Sequence, residues 1–536
     1  MISFLANLFL SSVVSDFFYI IFKLTEGWQL SFHRFANEHP AFYLLSPEIT
    51  LVTGGITLYL IHFLLPRKWL RFIVMPLALS TQLMSLSMTI HMIYVTSRFY
   101  TYNLGRYWGG QETIDPFSLF WAQTVDVIAL IVILISFRYP PLEPYLPEFY
   151  ALLNFATASI EFMVASSDVM TIWLMTEFSS IMLYLLIALV RGKRVIAEGL
   201  LKFFLLGTFS GILILFGCAI LYGLTGSTNL YDFKWMFTYH ELYNPIAALS
   251  LAFIGAGLGF KIGIAPFHLW IPDTFEAAPT PVVAFMSAAP KAGGLCVFAR
   301  FLLLGLQPLK DFWIPVLILM AILGMVVGTF GALHQTNLKR LLGYSGVAHM
   351  GFMLSAIAVA ASQNKTLETE SAGFHAAVFY IYAYVFFNLG AFAIITFLES
   401  QGIEPEMSAY SGLAYRSPFT AFLMTVFLLA LAGIPPTSGF WAKWWVFFAA
   451  LEESSYPLVV VMGAMTVLGL YYYARILYWM YMVPPKEGAE KFYTPPLSTA
   501  MAWGILIPTT GVFIMSFLAP IFYLYAQTVY LLNWPI

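Results

Sequence analysis

The chain predicts an all-α polytopic membrane protein with about fourteen transmembrane helices. It predicts two inverted five-helix repeats, each with a proline-broken helix. Three observations carry this. Of 536 residues, 60% are hydrophobic and 10% charged, against about 25% charged in soluble domains. Apolar runs of about 20 residues, the length of a spanning helix, recur along the chain. Prolines interrupt two of these runs, five spans apart. Paired interruptions in two halves point to an inverted-repeat transporter with a midplane site, and an odd repeat turns the second half over relative to the first.

Taken in order, the spans fall near 47–65, 70–95, 115–137, 148–166, 168–190, 198–222, 245–265, 281–303, 312–334, 340–361, 373–398, 417–450 (broken), 456–483 and 498–526. Residues 5–23, which include Asp16, either add one helix or lie in the membrane interface. The organisation is an N-terminal extension (1–44), N-terminal helices (45–147), a first repeat (148–303), a second repeat (312–483) and a C-terminal helix (498–526). Lys and Arg in the connections set orientation. The odd-numbered connections hold Arg67, Lys68, Arg71, Arg138, Arg191, Lys193, Arg194, Lys339, Arg340, Arg416, Lys486 and Lys491. The even ones hold Arg98, Arg106, Lys234, Lys310 and Lys365. The first set is expected on the cytoplasmic side or its equivalent. The polar connections 99–114, 224–244 and 485–497 are too short for a folded domain. The N-terminus, MISFLANLFL, has neither the basic leader nor the small-residue cleavage site of a signal peptide.

Composition excludes several function classes. A net charge of −2 gives no basic field for nucleic acid. Cys218 and Cys296 are isolated, whereas an iron–sulfur cluster takes four ligands. No GxGxxG loop follows a strand and no Walker A sequence occurs. Neither a cofactor nor a metal is expected in this chain.

The chemistry lies in Lys261, Lys291 and Lys443, which sit in the apolar settings GLGFKIGIAPFHLW, SAAPKAGGLCVFARFLLLG and GIPPTSGFWAKWWVFF. An ammonium group at membrane depth is costly, and such residues face polar cavities and carry ions or protons. Pro266 interrupts the seventh span. Pro435 and Pro436, with Gly439, interrupt the twelfth. Each break frees backbone carbonyls that must find partners at depth. Lys261 precedes its proline; Lys443 follows its own by about two turns, or about 10 Å of rise. A plainer role exists for several other groups. Lys202, one turn after Glu198, could snorkel to the interface. His268, just past a break, could only satisfy freed carbonyls. His334 and Lys339–Arg340 read as a solvated loop. Glu161 and Asp126 are acids inside spans with no assigned role.

Longer strings carry a resemblance. FKIGIAPFHLWIPDTFEAAPTPVVAFMSAAPKAGG (Phe260–Gly294), QTNLKRLLGYSGVAHMG, GLAYRSP, LAGIPPTSGFWAK and LYYYARILYWMY occur in that order. The chain resembles the antiporter-like membrane subunits of complex I-type NADH–quinone oxidoreductases, a family related to Mrp-type antiporter subunits. Phe275–Glu276 and Lys443 place it with the N-type chains, over roughly residues 45 to 525. The resemblance implies proton translocation driven by electron transfer elsewhere in a respiratory or photosynthetic complex. It implies that Glu177, in WLMTEFSSIMLY, pairs with Lys261, that Lys291 is central and Lys443 distal, and that Lys202 is a further N-type lysine. His268 and His349 lie on stretches that contribute to the polar axis. The implied partners are M-, L-, K-, J-, A- and H-like subunits in a coupling membrane. Iron–sulfur clusters, flavin and quinone belong to partner subunits, and the donor is NADH, ferredoxin or a reduced deazaflavin. The rival expectation is a secondary Na+/proton antiporter subunit. A structural subunit that lost transport is disfavoured by retention of all the lysines.

Overall fold

The computed structural model describes residues 43–98, 105–190, 194–239, 245–362, 371–485 and 498–529. The expected helix at 5–23 lies outside these, as do Arg191, Lys193, Lys365, Lys486 and Lys491. Among the described residues the helices are α1 (Ser46–Leu64), α2 (Arg67–Arg98), α3 (Pro116–Ser136), α4 (Leu146–Ala165), α5 (Val169–Ala188), α6 (Arg194–Thr225), α7 (Leu230–Tyr239), α8 (Pro245–Ile262), α9 (Trp270–Ala277) and α10 (Thr280–Arg300). The second half continues with α11 (Lys310–Leu333), α12 (Leu338–Ser362), α13 (Ala372–Ser400), α14 (Leu413–Arg416), α15 (Pro418–Ala432), α16 (Ser438–Glu452), α17 (Tyr456–Tyr481), α18 (Thr499–Phe517) and α19 (Ala519–Thr528). A small antiparallel hairpin, β1 (Gly105–Tyr107) and β2 (Glu112–Ile114), precedes α3.

Twelve of these segments are long and apolar enough to cross a membrane. Two further expected spans complete fourteen. One is α4, whose apolar run is diluted by Asn154, Thr157, Ser159 and Glu161. The other is the broken pair α15 and α16. Differences from expectation are local. The seventh span stops at Ile262 rather than 265, and the polar connection 224–244 contains α7. The final segment is two helices, because the chain breaks at Leu518 and Pro520 opens α19.

Both proline breaks are built alike. The sequence reads Gly263-Ile264-Ala265-Pro266 in one and Gly433-Ile434-Pro435-Pro436 in the other. Gly263 and Gly433 are left-handed, with φ of 71° and 82°. Each closes its half-helix in the pattern that satisfies carbonyls at a helix end: Ile264 N–H donates to the Gly259 carbonyl and Ile434 N–H to the Leu429 carbonyl, both at 3.0 Å. Matching bridges appear elsewhere. Asp168 pairs with Asn229, and Asn337 with Glu406. Each joins the start of a repeat's second helix to the segment after its third.

The inner helices are α4, most of whose residues are buried, and α3, α10, α12 and α13, with 83, 94, 89 and 94% of their spans buried, against 28% for α17 and 33% for α1. Lipid tails supply no hydrophobic drive between helices, so close backbone packing on small residues matters. A Cβ on Gly328 of α11 would fall 2.4 Å from the Ala348 nitrogen of α12. The lysines of interest lie on or against this inner layer.

Candidate functional site

The first station lies between α5 and α8. Lys261 Nζ donates to Glu177 Oε1 at 2.9 Å and to Ser180 Oγ at 2.8 Å. Lys261 occupies the last turn of α8, where a cation meets the negative end of the helix dipole. Its side chain is 9% exposed. A small cavity beside it is lined by Thr176, Ser179, Ser180, Trp270 and Gly294. Gly211 of α6 makes room for the acid: a Cβ there would lie 2.3 Å from Glu177 Oε1.

The central station is Lys291 of α10, 1% exposed. Among the described residues its amine has no hydrogen-bond partner. It lies 5.9 Å from the ring centre of Tyr384. Gly346 of α12 faces it so closely that a Cβ would sit 2.4 Å from Nζ. One turn along α12 stands His349. Its Nδ1 bonds to Tyr380 Oη at 2.8 Å and its Nε2 to Tyr473 Oη at 3.3 Å; Tyr473 in turn bonds to Ser345 Oγ at 2.5 Å. His349 is within electrostatic reach of both Lys291 and Lys443.

The distal station is Lys443 of α16. Its amine turns back to the preceding half-helix and donates to the Ala432 carbonyl at 2.8 Å and the Leu431 carbonyl at 3.3 Å. It also lies 5.3 Å from the ring centre of Phe352. These carbonyls are among those freed at the break. Lys261 is carried on the last turn of its first half-helix and reaches across to α5, whereas the Lys443 amine folds back to the last carbonyls of the half-helix before its break.

The remaining candidates stand outside this row. Lys202, with a side chain 44% exposed, pairs with Glu198 at 2.9 Å and Asp273 at 2.7 Å. Asp273 and Glu276 then hold Arg340 at 2.8 and 2.7 Å. His268 is buried past the first break, its Nδ1 without a hydrogen-bond partner among the described residues, and 6.0 Å from the Tyr344 ring.

One expectation is overturned. Lys339 is not part of a solvated loop: it is 5% exposed. Its amine donates to the Ala278 carbonyl at 3.0 Å and lies 3.7 Å from Glu399. The cause is the pairing of Leu338 N–H with the Pro405 carbonyl, which tucks the start of α12 inward. Glu399 also accepts from Tyr139 Oη at 2.8 Å and from Thr280 Oγ1. The tyrosines Tyr380, Tyr384 and Tyr473 are the residues that sequence reasoning passed over. Tyrosines are common in apolar spans and at membrane interfaces, and only the position of Tyr473 in LYYYARILYWMY could have flagged it.

The family model described as NADH:quinone oxidoreductase/Mrp antiporter, TM matches residues 165–469. The chain belongs to this family. NADH-quinone oxidoreductase subunit N 1 of Koribacter versatilis is 36% identical over 480 residues, covering 88% of this chain and 92% of that protein. Subunit N of Trichlorobacter lovleyi is 36% identical over 403 residues, covering 74% and 81%. A chain of respiratory complex I from Thermus thermophilus superposes with a TM-score of 0.72 at 26% identity, covering 90% of this chain and 99% of that one. A chain of the Mrp complex from Dietzia shares the fold, with a TM-score of 0.77 at 17% identity over 90% of this chain and 96% of that one. As a family member, this chain is a multi-pass membrane protein.

Proposed function

We propose that this chain is a proton-translocating membrane-arm subunit of a complex I-type oxidoreductase. Its protons move along Glu177, Lys261, Lys291, His349 and Lys443, with Lys202 at the rim of the row and His268 beside the first break. Partner subunits, M-, L-, K-, J-, A- and H-like, supply the neighbouring membrane arm and, with the peripheral arm, the iron–sulfur clusters, flavin and quinone site. The observation that carries this reading is three lysines in apolar surroundings, Lys291 buried and Lys261 and Lys443 partly buried, in three different electrostatic settings. Lys261 has a carboxylate partner, Lys443 has carbonyl partners, and the Lys291 amine has none among the described residues.

Such a row can pass protons because its ion pairs can be remade. Two unit charges about 4 Å apart interact by about 4 kcal/mol at an effective dielectric of about 20. Remaking that contact changes a proton affinity about a thousandfold. That suffices to load a site from one side and unload it to the other. Arginine could not serve, since it keeps its proton. The names of the relatives favour this reading over a Na+/proton antiporter subunit. In the assembled complex in liposomes, Lys261→Ala is expected to abolish the proton contribution of this subunit while assembly persists. A normal proton-to-electron ratio in that variant would refute the proposal.

A further inference from the structure

A second polar cluster lies outside the lysine row, among α2, α3 and α4. Asp126 of α3 and Glu161 of α4 are both fully buried. Asp126 Oδ1 accepts from Gln82 Nε2 at 2.6 Å, and its Oδ2 from Ser85 Oγ at 3.2 Å and Thr89 Oγ1 at 3.5 Å. Gln82 and Ser85 donate to Asp126, while the single Thr89 hydroxyl proton has the Leu86 carbonyl, at 2.9 Å, as its nearer acceptor. Glu161 receives no donor at either oxygen, and Gln82 Oε1, equally buried, also lacks a donor. The carboxyls of Glu161 and Asp126 nevertheless lie within hydrogen-bonding reach of each other. Two carboxylates both accept, so this contact is a hydrogen bond only when one of them carries a proton.

Charge leads to the same place. A buried carboxylate is paired or binds a cation, and none of the described ion pairs involves Asp126 or Glu161. Glu48 of α1 lies within electrostatic reach of both carboxyls, and Glu112 of β2 within reach of Glu48, so these neighbours supply no counter-cation. Burial pushes the Glu112 carboxyl, outside the spans, up to about 7. A metal cation is the weaker candidate: no described group of three His, Cys, Asp or Glu residues is arranged to hold one. The helix that carries Glu161 also presents Ile160 and Met163 to the cavity containing Lys261. One helix therefore forms a wall of both sites.

We propose that Asp126 and Glu161, with Gln82 beside them, form a further proton-binding site that loads and unloads during turnover. This rests on the proton-translocation reading above. Uptake forms one O–H bond on a carboxylate oxygen from a hydrated proton, release breaks it, and no electron moves.

The test is infrared difference spectroscopy on the intact complex in its membrane, comparing resting and turning-over states. The expected result is a protonated-carboxyl C=O band that changes on turnover and shifts in heavy water. Glu161→Gln and Asp126→Asn, both near-isosteric, should each remove it and lower the proton-to-electron ratio. Either variant alone suffices if the other does not assemble, and the absence of any such band in the unaltered complex would itself overturn the proposal. So would retention of band and ratio in the variants, or replacement of the band by sodium-dependent binding of radiolabelled Na+. If Lys261→Ala also pumps normally, the broader reading fails; if only the Glu161 and Asp126 variants do, this inference alone fails.

Discussion

At the scale of single residues, the site is defined as much by missing side chains as by charged ones. Gly346 leaves the space that the Lys291 amine occupies, and a Cβ there would also come within 3.1 Å of Tyr384 Oη. The backbone at Gly346 is helical and accepts alanine. Gly346→Ala should therefore fold and assemble while displacing the amine. Misplacing a reacting group by about 1 Å can cost about a hundredfold, and a fall in proton-pumping rate of about tenfold or more is expected in reconstituted complex. An unchanged rate would show that the amine does not use this space. The carrier residues themselves were legible from sequence, because lysine inside an apolar run is rare and costly. The glycines opposite them were not, since a glycine in a transmembrane helix is common and only the fold shows what it faces. Lys339 misled for the converse reason. It neighbours Arg340 and His334 in a short polar stretch, and nothing local shows that Pro405 draws it inward.

At the scale of elements, the two breaks do the positioning. Prolines foretold both, and the paired breaks foretold the repeat. Sequence could not show that the Lys443 amine returns to the end of the half-helix before its break, the position that Lys261 occupies in the first repeat. That depends on the chain folding back at the break, which brings a residue beyond it to the carbonyls before it. The turn in each case needs a left-handed glycine. A Cβ on Gly433 would also lie 2.8 Å from Lys443 Cδ. Gly433→Ala should therefore cost about 1–2 kcal/mol from the backbone alone and disturb the lysine as well. The expected outcome is a lower melting temperature of the purified complex together with reduced pumping. A variant of undiminished stability would contradict this account of the break. The split of the last span into α18 and α19 was less legible, because Leu518 is as apolar as its neighbours and Pro520 alone does not distinguish a kink from a stop.

At the scale of the whole molecule, the buried helices α10, α12 and α13 carry or flank Lys291, His349, Tyr380 and Tyr384, while the broken helices bring Lys261 and Lys443 against them. The centre of the polar row, Lys291 and His349, thus lies inside the protein, while Glu177, Lys261 and Lys443 on either side of it are partly buried. Proton exchange by these lysines is what makes the row a pathway. Lys291→Arg tests it most directly, because arginine keeps the positive charge and much of the bulk but does not release its proton. The measurement is the proton-to-electron ratio of the reconstituted complex carrying this one substitution. Assembled complex with a clearly lowered ratio is expected; an unaltered ratio would mean that Lys291 serves only as a fixed charge, and the proton row would not stand.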